Sequence, residues 1–183
     1  MRYEGIVIKK IDRAEYDQLA FMYTSDFGKM RGIVKSIAKP TSKQAPHVDI
    51  LNQIGFSLVS GNGYPIVTSA ISINNFSNLK KSLPALSISM FLTEVIDKLV
   101  YDNDPDPRLW DFFVKTLEYL NNVAVKKSTN FENTFSLIQK RVLMLLGYIQ
   151  SDKEISNKSL DYLFQEHSQN EFNSLQLVRS VLK

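Results

Sequence analysis

The spacing of apolar residues changes once along this chain, near Asn74, and this change decides its architecture. Up to Asn74, apolar and polar residues alternate in short runs, which is the pattern of β-strands with one buried face. Beyond it, apolar residues recur every three or four positions, as on one face of an α-helix. Six of the seven glycines lie at or before Gly63, where a strand-rich part needs turns. We therefore predict a β domain over residues 1–76 and a helical domain over residues 77–183.

The first part contains five runs rich in Val, Ile, Phe and Tyr, separated by turn residues. These runs predict strands over residues 3–10, 18–24, 29–35, 50–60 and 66–73. A sheet of such short strands exposes unpaired edges unless it closes on itself. The pattern therefore predicts a small closed or partly open antiparallel barrel.

The second part carries helical patterns to its end. They cover residues 88–99, a helix that opens at Asp106 and Pro107, residues 130–146, and short segments at 160–164 and 175–182. Aspartate followed by proline is a favourable N-cap and first-turn pair. Apolar residues wrap most of the helix over 130–146, so we expect that helix to be the centre of a bundle.

The residue types exclude several classes of function. The chain has no cysteine and only two histidines, so we expect no metal site and no thiol nucleophile. Glycine-rich phosphate loops and nucleophile motifs are absent from the sequence, so we expect neither a cofactor nor an enzymatic activity. No apolar run approaches the roughly 20 residues that cross a bilayer, and strand-like sequence follows Met1, so we expect no signal peptide. We therefore expect a cytoplasmic protein without membrane contact.

Positive charge is concentrated in the first part of the chain. Residues 1–80 carry ten Lys and Arg against six Asp and Glu, whereas residues 81–183 carry twelve against thirteen. No acidic residue occurs between Phe27 and Val48, while that segment contains five Lys and Arg. Clustered positive charge of this kind can hold a polyanion.

An ordered set of short segments resembles the RecO family of recombination mediators. Residues 5–8, 14–17 and 23–32 resemble the opening of such proteins, and so do the basic stretch 35–43 and the hairpin at 61–63. Residues 104–107 and 135–148 are similar to two landmarks of the family's helical domain. The set covers about three quarters of the chain in the right order. No single segment is specific, but the ordered set is.

The resemblance implies an OB-fold that binds single- and double-stranded DNA, followed by a helical domain. It also implies strand annealing, cooperation with RecR, contact with the acidic C-terminal tail of single-stranded-DNA-binding protein, and help in loading RecA. A nucleoid-associated protein of this type is expected to be a monomer. For the acidic tail, Lys140 and Arg141 beside the apolar face of the third long helix are the candidates; the alternative is that both are ordinary exposed positions.

The third predicted strand supplies the first candidates for DNA binding. Alternation places Lys29, Arg31, Ile33 and Lys35 on one solvent-facing side. Successive residues on that side stand about 6.6 Å apart, which is similar to the phosphate repeat of an extended single strand. Lys39 and Lys43 continue this charge through the following loop, and Lys9, Lys10 and Arg13 are candidates from across the barrel. The alternative is that these charges only solubilise an outer face.

Aromatic rings are the second ingredient of a single-strand site, because bases stack on exposed rings. Most aromatic residues of the first part are needed to fill a barrel of this size. We expect Phe27, in a turn, and Tyr64, in the glycine-rich hairpin, to be exposed for stacking, with packing as the alternative role.

Two features depart from the RecO pattern. Many members carry a four-cysteine zinc ribbon after the Gly-Tyr pair that corresponds to residues 147–148, and this chain has no cysteine. Ser36 and Ile37 stand where the family usually has a glycine and a small residue. The sequence therefore predicts a non-enzymatic, DNA-binding repair mediator without the ribbon. The alternative function is a helical protein-interaction adaptor, in which the barrel is only a scaffold.

Overall fold

The N-terminal half of the computed structural model is a closed barrel. The structure describes residues 2–13, 15–61, 63–126, 129–150, 155–167 and 172–182. Within them the barrel strands are β1 (Tyr3–Asp12), β2 (Gln18–Thr24), β3 (Gly28–Val34), β4 (Gln53–Val59) and β5 (Ile66–Asn74). The strands close in the order β1-β2-β3-β5-β4, with antiparallel pairs except for β3 and β5. This is the five-stranded arrangement of an OB-fold, as predicted.

The barrel is filled by the inward-facing residues of its strands. They include Val7, Ala20, Met22, Ile54 and Phe56, all without measurable exposure. The loop from β3 to β4 adds Ile37 and Val48 to the same core. Ser36, the second residue of this loop, has φ 55° and donates its backbone N–H to Asp17 at 2.7 Å. A left-handed backbone favours glycine, which is the residue that the RecO resemblance leads one to expect at this position.

A β-bulge in β1 changes which side chains face outward. Val7 pairs with Met22 and Lys9 pairs with Phe21, so Ile8 is an extra residue in the β1–β2 ladder. Strict alternation would send Val7 and Lys9 to the same face. The bulge instead keeps Val7 in the core and leaves Lys9 exposed on the outer surface.

The C-terminal half is helical, which confirms the second part of the predicted fold class. The described helices are α1 (Ser77–Lys81), α2 (Leu83–Leu99), α3 (Pro107–Val123), α4 (Phe131–Leu145), α5 (Asn157–His167) and α6 (Asn173–Val181). Asp106 caps α3 by accepting the backbone N–H of Arg108 at 2.8 Å, as its place before Pro107 predicts.

The central helix of this half is α2, so the prediction that residues 130–146 form the centre is wrong. Helix α2 packs against α1, α4 and α6. Its Phe91 is fully buried, with ring centroids 5.0, 4.9 and 6.0 Å from three other rings, those of Phe135, Phe164 and Phe172. Leu137 of α4 is 61% exposed. The apolar residues of α4 are concentrated in its last turn, which made the whole helix resemble a buried one.

The carboxylate of Glu94 on α2 caps the N-terminus of α6. It accepts the backbone N–H groups of Asn173 at 3.2 Å and of Ser174 at 2.8 Å, together with the Ser174 hydroxyl. Lys98 lies one turn along α2, with its Nζ 2.6 Å from Glu94 Oε1 and 4.8 Å from the centroid of the Phe172 ring. Burial by itself raises the pKa of Glu94, but the hydrogen bonds from Lys98 and Ser174 together hold that pKa below its ordinary value.

We expect this cap to make the helical half sensitive to acid. Because the folded-state pKa of Glu94 is lowered, its contribution to stability is complete above the ordinary pKa of 4.5 and is lost as the pH falls through the lower folded-state value. Glu94→Gln should lower the thermal midpoint at neutral pH, and parent and variant should converge in acid. Circular dichroism melts across this pH range measure the effect. Glu118→Gln, at an exposed position of α3, is the control. If the difference in thermal midpoint between the parent and Glu94→Gln stayed constant with pH, the argument would be contradicted.

The chain forms two compact units that do not follow a single cut in the sequence. One unit comprises residues 1–75 and 101–110, and the other comprises residues 76–100 and 111–183. The sequence predicts one boundary between residues 76 and 77, whereas residues 101–110 pack with the barrel residues. None of the described helices is both long enough and apolar enough to span a membrane.

Candidate nucleic-acid interface

A row of three side chains crosses the outer face of β1, β2 and β3. Lys9 pairs with Phe21 across the first ladder, and Phe21 pairs with Arg31 across the second. The Lys9 Nζ and the Arg31 Cζ each lie 5.1 Å from the centroid of the Phe21 ring. Two cations therefore flank one aromatic ring on the outer side of the barrel, and Phe21 between them is 8% exposed.

The row continues into the loop between β4 and β5. The Arg31 Nη1 donates to the Tyr64 hydroxyl at 3.3 Å, and the Arg13 Cζ lies 5.7 Å from the centroid of the Tyr64 ring. Tyr64 is 37% exposed and Arg13 is exposed, as the sequence predicts for the tyrosine. The group of Lys9, Arg13, Phe21, Arg31 and Tyr64 is called the cation–aromatic cluster below.

Residues 101–106, called the strap, cover the N-terminal half of β3. The Asp102 carboxylate lies 3.3 Å from Lys29 Nζ through one oxygen and 2.8 Å from Arg31 Nη2 through the other. Asn103 donates its backbone N–H to the Lys29 carbonyl at 2.8 Å. Lys29 is consequently only 7% exposed, so the prediction that it faces solvent is wrong. Asp102 follows Lys29 by more than seventy residues in the sequence. Strand alternation concerns only neighbouring residues, so it could not predict this contact.

Two further features hold the strap on the barrel. Gly28 has φ +65°, and a Cβ at this position would lie 2.3 Å from the Asp104 carbonyl oxygen, so the strap passes directly over it. Tyr23, on the outer face of β2, has its ring centroid 6.3 Å from that of Trp110 and donates its hydroxyl to the Asp106 carbonyl at 3.5 Å. Burial raises the pKa of Tyr23 to about 12. The tyrosine is therefore neutral at physiological pH.

The other predicted cations of the barrel lie in different surroundings. Lys35, Lys39 and Lys43 are exposed, and Lys39 Nζ lies 5.5 Å from the centroid of the Tyr16 ring. Lys10 is not in the cluster, because its Nζ donates to the Val48 carbonyl at 3.2 Å and to Asp49 at 3.1 Å.

Phe27 is half-buried rather than exposed. Its ring packs edge-on against Tyr3 with centroids 4.7 Å apart and borders the barrel core. The alternative packing role therefore describes Phe27 better than stacking does, because its ring contacts Tyr3 and the barrel core.

In the helical unit, the two predicted partner residues lie near the middle of α4. Lys140 is half-buried and Arg141 is exposed. Among the residues that the structure describes, no group of three or more His, Cys, Asp or Glu side chains is placed to hold a metal ion.

The sequence missed Phe21, Tyr16 and Asp102 as members of this surface. The sequence of β2 does not show which face Phe21 occupies, because β2 is apolar on both faces. Ala20 and Met22 face inward, and Phe21 and Tyr23 face outward. The outer face is distinguished by the cations Lys9 and Arg31, which pair with Phe21 across the two ladders. Recognising this requires the register of β1, β2 and β3. Asp102 has no local signal at all.

The surface has the composition of a single-strand site. In OB-folds the β2–β3 face and the loops after β1 and β4 carry oligonucleotides, and here those elements supply Phe21, Arg31, Arg13 and Tyr64. Guanidinium and ammonium groups neutralise phosphates, whereas an exposed ring such as that of Tyr64 receives bases without regard to sequence. Phe21 is covered, and its role is to hold Lys9 and Arg31 beside each other. The arrangement is suited to binding a polyanion that itself carries aromatic groups, as a nucleic acid does.

Comparison with known proteins gives matches in both halves of the chain. The family model described as "Recombination protein O N terminal" matches residues 1–76, and that described as "Recombination protein O C terminal" matches residues 80–151. The following three similar curated proteins are each named "DNA repair protein RecO". That of Geobacter metallireducens is 27% identical over 149 residues, covering 80% of this chain and 58% of the relative. That of Dehalococcoides mccartyi is 28% identical over 119 residues, covering 65% and 47%. That of Caldanaerobacter subterraneus is 24% identical over 149 residues, covering 81% and 59%. The chain thus spans about half the length of the curated relatives that it matches.

Proposed function

Because this chain belongs to the recombination protein O family, we propose that it is a DNA-binding mediator of recombinational repair. Its OB-fold barrel binds single- and double-stranded DNA, and it acts without catalysing a reaction. The curated relatives' shared name, "DNA repair protein RecO", supports the repair role.

The observation that carries the proposal is the cation–aromatic cluster. Lys9, Arg13 and Arg31 come from β1, the loop after it and β3, yet they surround the rings of Phe21 and Tyr64. A solubilising surface does not require cations to be gathered around rings. A single strand presents alternating phosphates and bases, which such a surface matches.

The remaining cations extend this surface in the proposal. Lys35, Lys39 and Lys43 lead away from the C-terminal end of β3, and the ring of Tyr16 beside Lys39 offers a further place for a base. Lys29 contributes through Asp102 and Arg31 rather than by direct phosphate contact, because its side chain is covered. Lys10 and Phe27 are the least suited to contact DNA, because Lys10 pairs with Asp49 and Phe27 packs on Tyr3.

The finer parts of the proposed role come from the family. They are strand annealing, cooperation with RecR, contact with the acidic tail of single-stranded-DNA-binding protein, and assistance in loading RecA. Lys140 and Arg141 on α4 are the proposed residues for the acidic tail. The proposed site of action is the cytoplasm, in association with the nucleoid.

The proposal is tested by the salt dependence of DNA binding. Lys9→Gln, Arg13→Gln and Arg31→Gln, combined in one variant, should weaken binding of a labelled oligothymidylate. The slope of log K against log salt should flatten by about 2 units if each cation neutralises one phosphate of a single strand. Fluorescence anisotropy at four salt concentrations gives both quantities.

A second triple variant controls for net charge. Lys81→Gln, Lys140→Gln and Arg141→Gln remove the same three charges from the helical unit. This variant should retain the parent's slope. Equal slopes for the parent and both variants would exclude the cluster as the site. A parent that binds no DNA at low salt would favour a protein-interaction adaptor instead.

A further inference from the structure

The two oxygens of the Asp102 carboxylate occupy positions that suit the oxygens of a phosphate. One lies 3.3 Å from Lys29 Nζ and the other lies 2.8 Å from Arg31 Nη2. Carboxylate and phosphate oxygens both accept charge-assisted hydrogen bonds from guanidinium and ammonium groups. We propose that Asp102 is an internal competitor that holds Arg31 against nucleic-acid phosphate and so limits the affinity of the barrel for DNA. This inference rests on the proposed function and concerns the regulation of the same site.

The competition is physically possible because the pair is open to solvent. The side chains of Arg31 and Asp102 are 35% and 38% exposed, so an incoming phosphate reaches the guanidinium without unfolding the strap. Ion pairs of this exposure are weak, since water screens them and ordering two side chains costs entropy. A phosphate held at other points of the same surface therefore displaces the carboxylate.

The strap region has contacts with the barrel that do not depend on the charge of Asp102. Asn103 donates its backbone N–H to the Lys29 carbonyl, Asp104 packs over Gly28, and Trp110 lies beside Tyr23. None of these contacts involves the Asp102 side chain. Neutralising Asp102 should therefore remove a competitor without removing the strap.

Arg31 also has positioning contacts that do not involve Asp102. Its Nη1 donates to the Tyr64 hydroxyl at 3.3 Å, and its guanidinium lies 5.1 Å from the centroid of the Phe21 ring. A residue whose only role was to position Arg31 would weaken DNA binding when neutralised. An internal competitor has the opposite effect, so the sign of the change separates the two roles.

The experiment compares Asp102→Asn with Asp104→Asn. Both variants remove one negative charge from an exposed position of the strap, and Asp102 is the one whose carboxylate lies 2.8 Å from Arg31 Nη2. Binding of a labelled oligothymidylate to each variant and to the parent is measured by fluorescence anisotropy at several salt concentrations. Asp102→Asn should bind about 2- to 5-fold more tightly than the parent. Its salt slope should steepen by about 0.7 for each additional phosphate that the barrel neutralises. Asp104→Asn should change the affinity less.

Each other outcome overturns the inference in a recognisable way. Equal increases in affinity for the two variants would mean that only net charge matters, and weaker binding by Asp102→Asn would mean that Asp102 positions Arg31. Fluorescence of Trp110, the chain's one tryptophan, reports whether the strap remains docked, and Asp102→Ser provides a second neutral variant. Loss of docking in both variants would contradict the argument that other contacts hold the strap. A parent that binds no DNA would refute the proposed function, and with it this inference.

Discussion

Replacing Phe91 with alanine should lower the free energy of unfolding of the helical unit by about 3–5 kcal/mol. Phe91 is fully buried in α2 and touches the rings of Phe135, Phe164 and Phe172, which come from α4, from α5 and from the residue before α6. One truncation therefore removes a contact shared by four segments and leaves a cavity among them. Urea unfolding followed by far-UV circular dichroism, which is dominated by helices, measures the loss.

Leu137→Ala is the matched control for Phe91→Ala. Leu137 is also apolar and lies within a helix, but it is 61% exposed. Its replacement should change stability by no more than about 0.5 kcal/mol, as for other surface positions. If Leu137→Ala lowered the free energy of unfolding more than Phe91→Ala did, α4 rather than α2 would be the central helix, and the packing described above would be wrong.

Gly28→Ala should destabilise the barrel unit by about 2–4 kcal/mol and release the strap from β3. Two costs add at this position. The backbone has φ +65°, and the new Cβ would meet the Asp104 carbonyl oxygen at 2.3 Å and the Pro105 nitrogen at 2.8 Å. Both neighbours are backbone atoms, so the strap must move. Trp110 should then become more accessible to acrylamide quenching.

Gly63→Ala separates steric conflict from backbone strain. Gly63 also has a positive φ, +104°, but a Cβ there would meet nothing within 4 Å. This variant should lose stability through strain alone and leave the fluorescence of Trp110 as it is in the parent. If Gly28→Ala also left that fluorescence unchanged, the close passage of the strap over Gly28 would be wrong.

Local pattern was sufficient to predict the secondary structure of most of the chain. All five barrel strands were predicted, because alternation and turn residues act over a few positions. The main helices were predicted as well, with Asp106 and Pro107 at the start of α3. The short helix α1 was not, because five residues are too few to show a period.

The candidate site was predicted only in part. Arg13, Arg31 and Tyr64 were named from charge and turn position, and the structure brings them together. Phe21 was not singled out for exposure, and it is 8% exposed; only the strand register shows that Lys9 and Arg31 lie on either side of it. Lys29 was expected in solvent, since nothing near it in the sequence indicates that Asp102 covers it.

The sequence by itself determined the two architectures, their order and the concentration of positive charge in the first, because period and composition are local properties of the chain. Tertiary structure alone decided the surface that those charges form. The bulge at Ile8 sets Lys9 opposite Phe21, and the strap sets Asp102 on Arg31. The positions of Lys9 and Asp102 depend on strand register and on contacts between residues far apart in the chain. No local pattern encodes these contacts, because their free energy depends on three-dimensional packing.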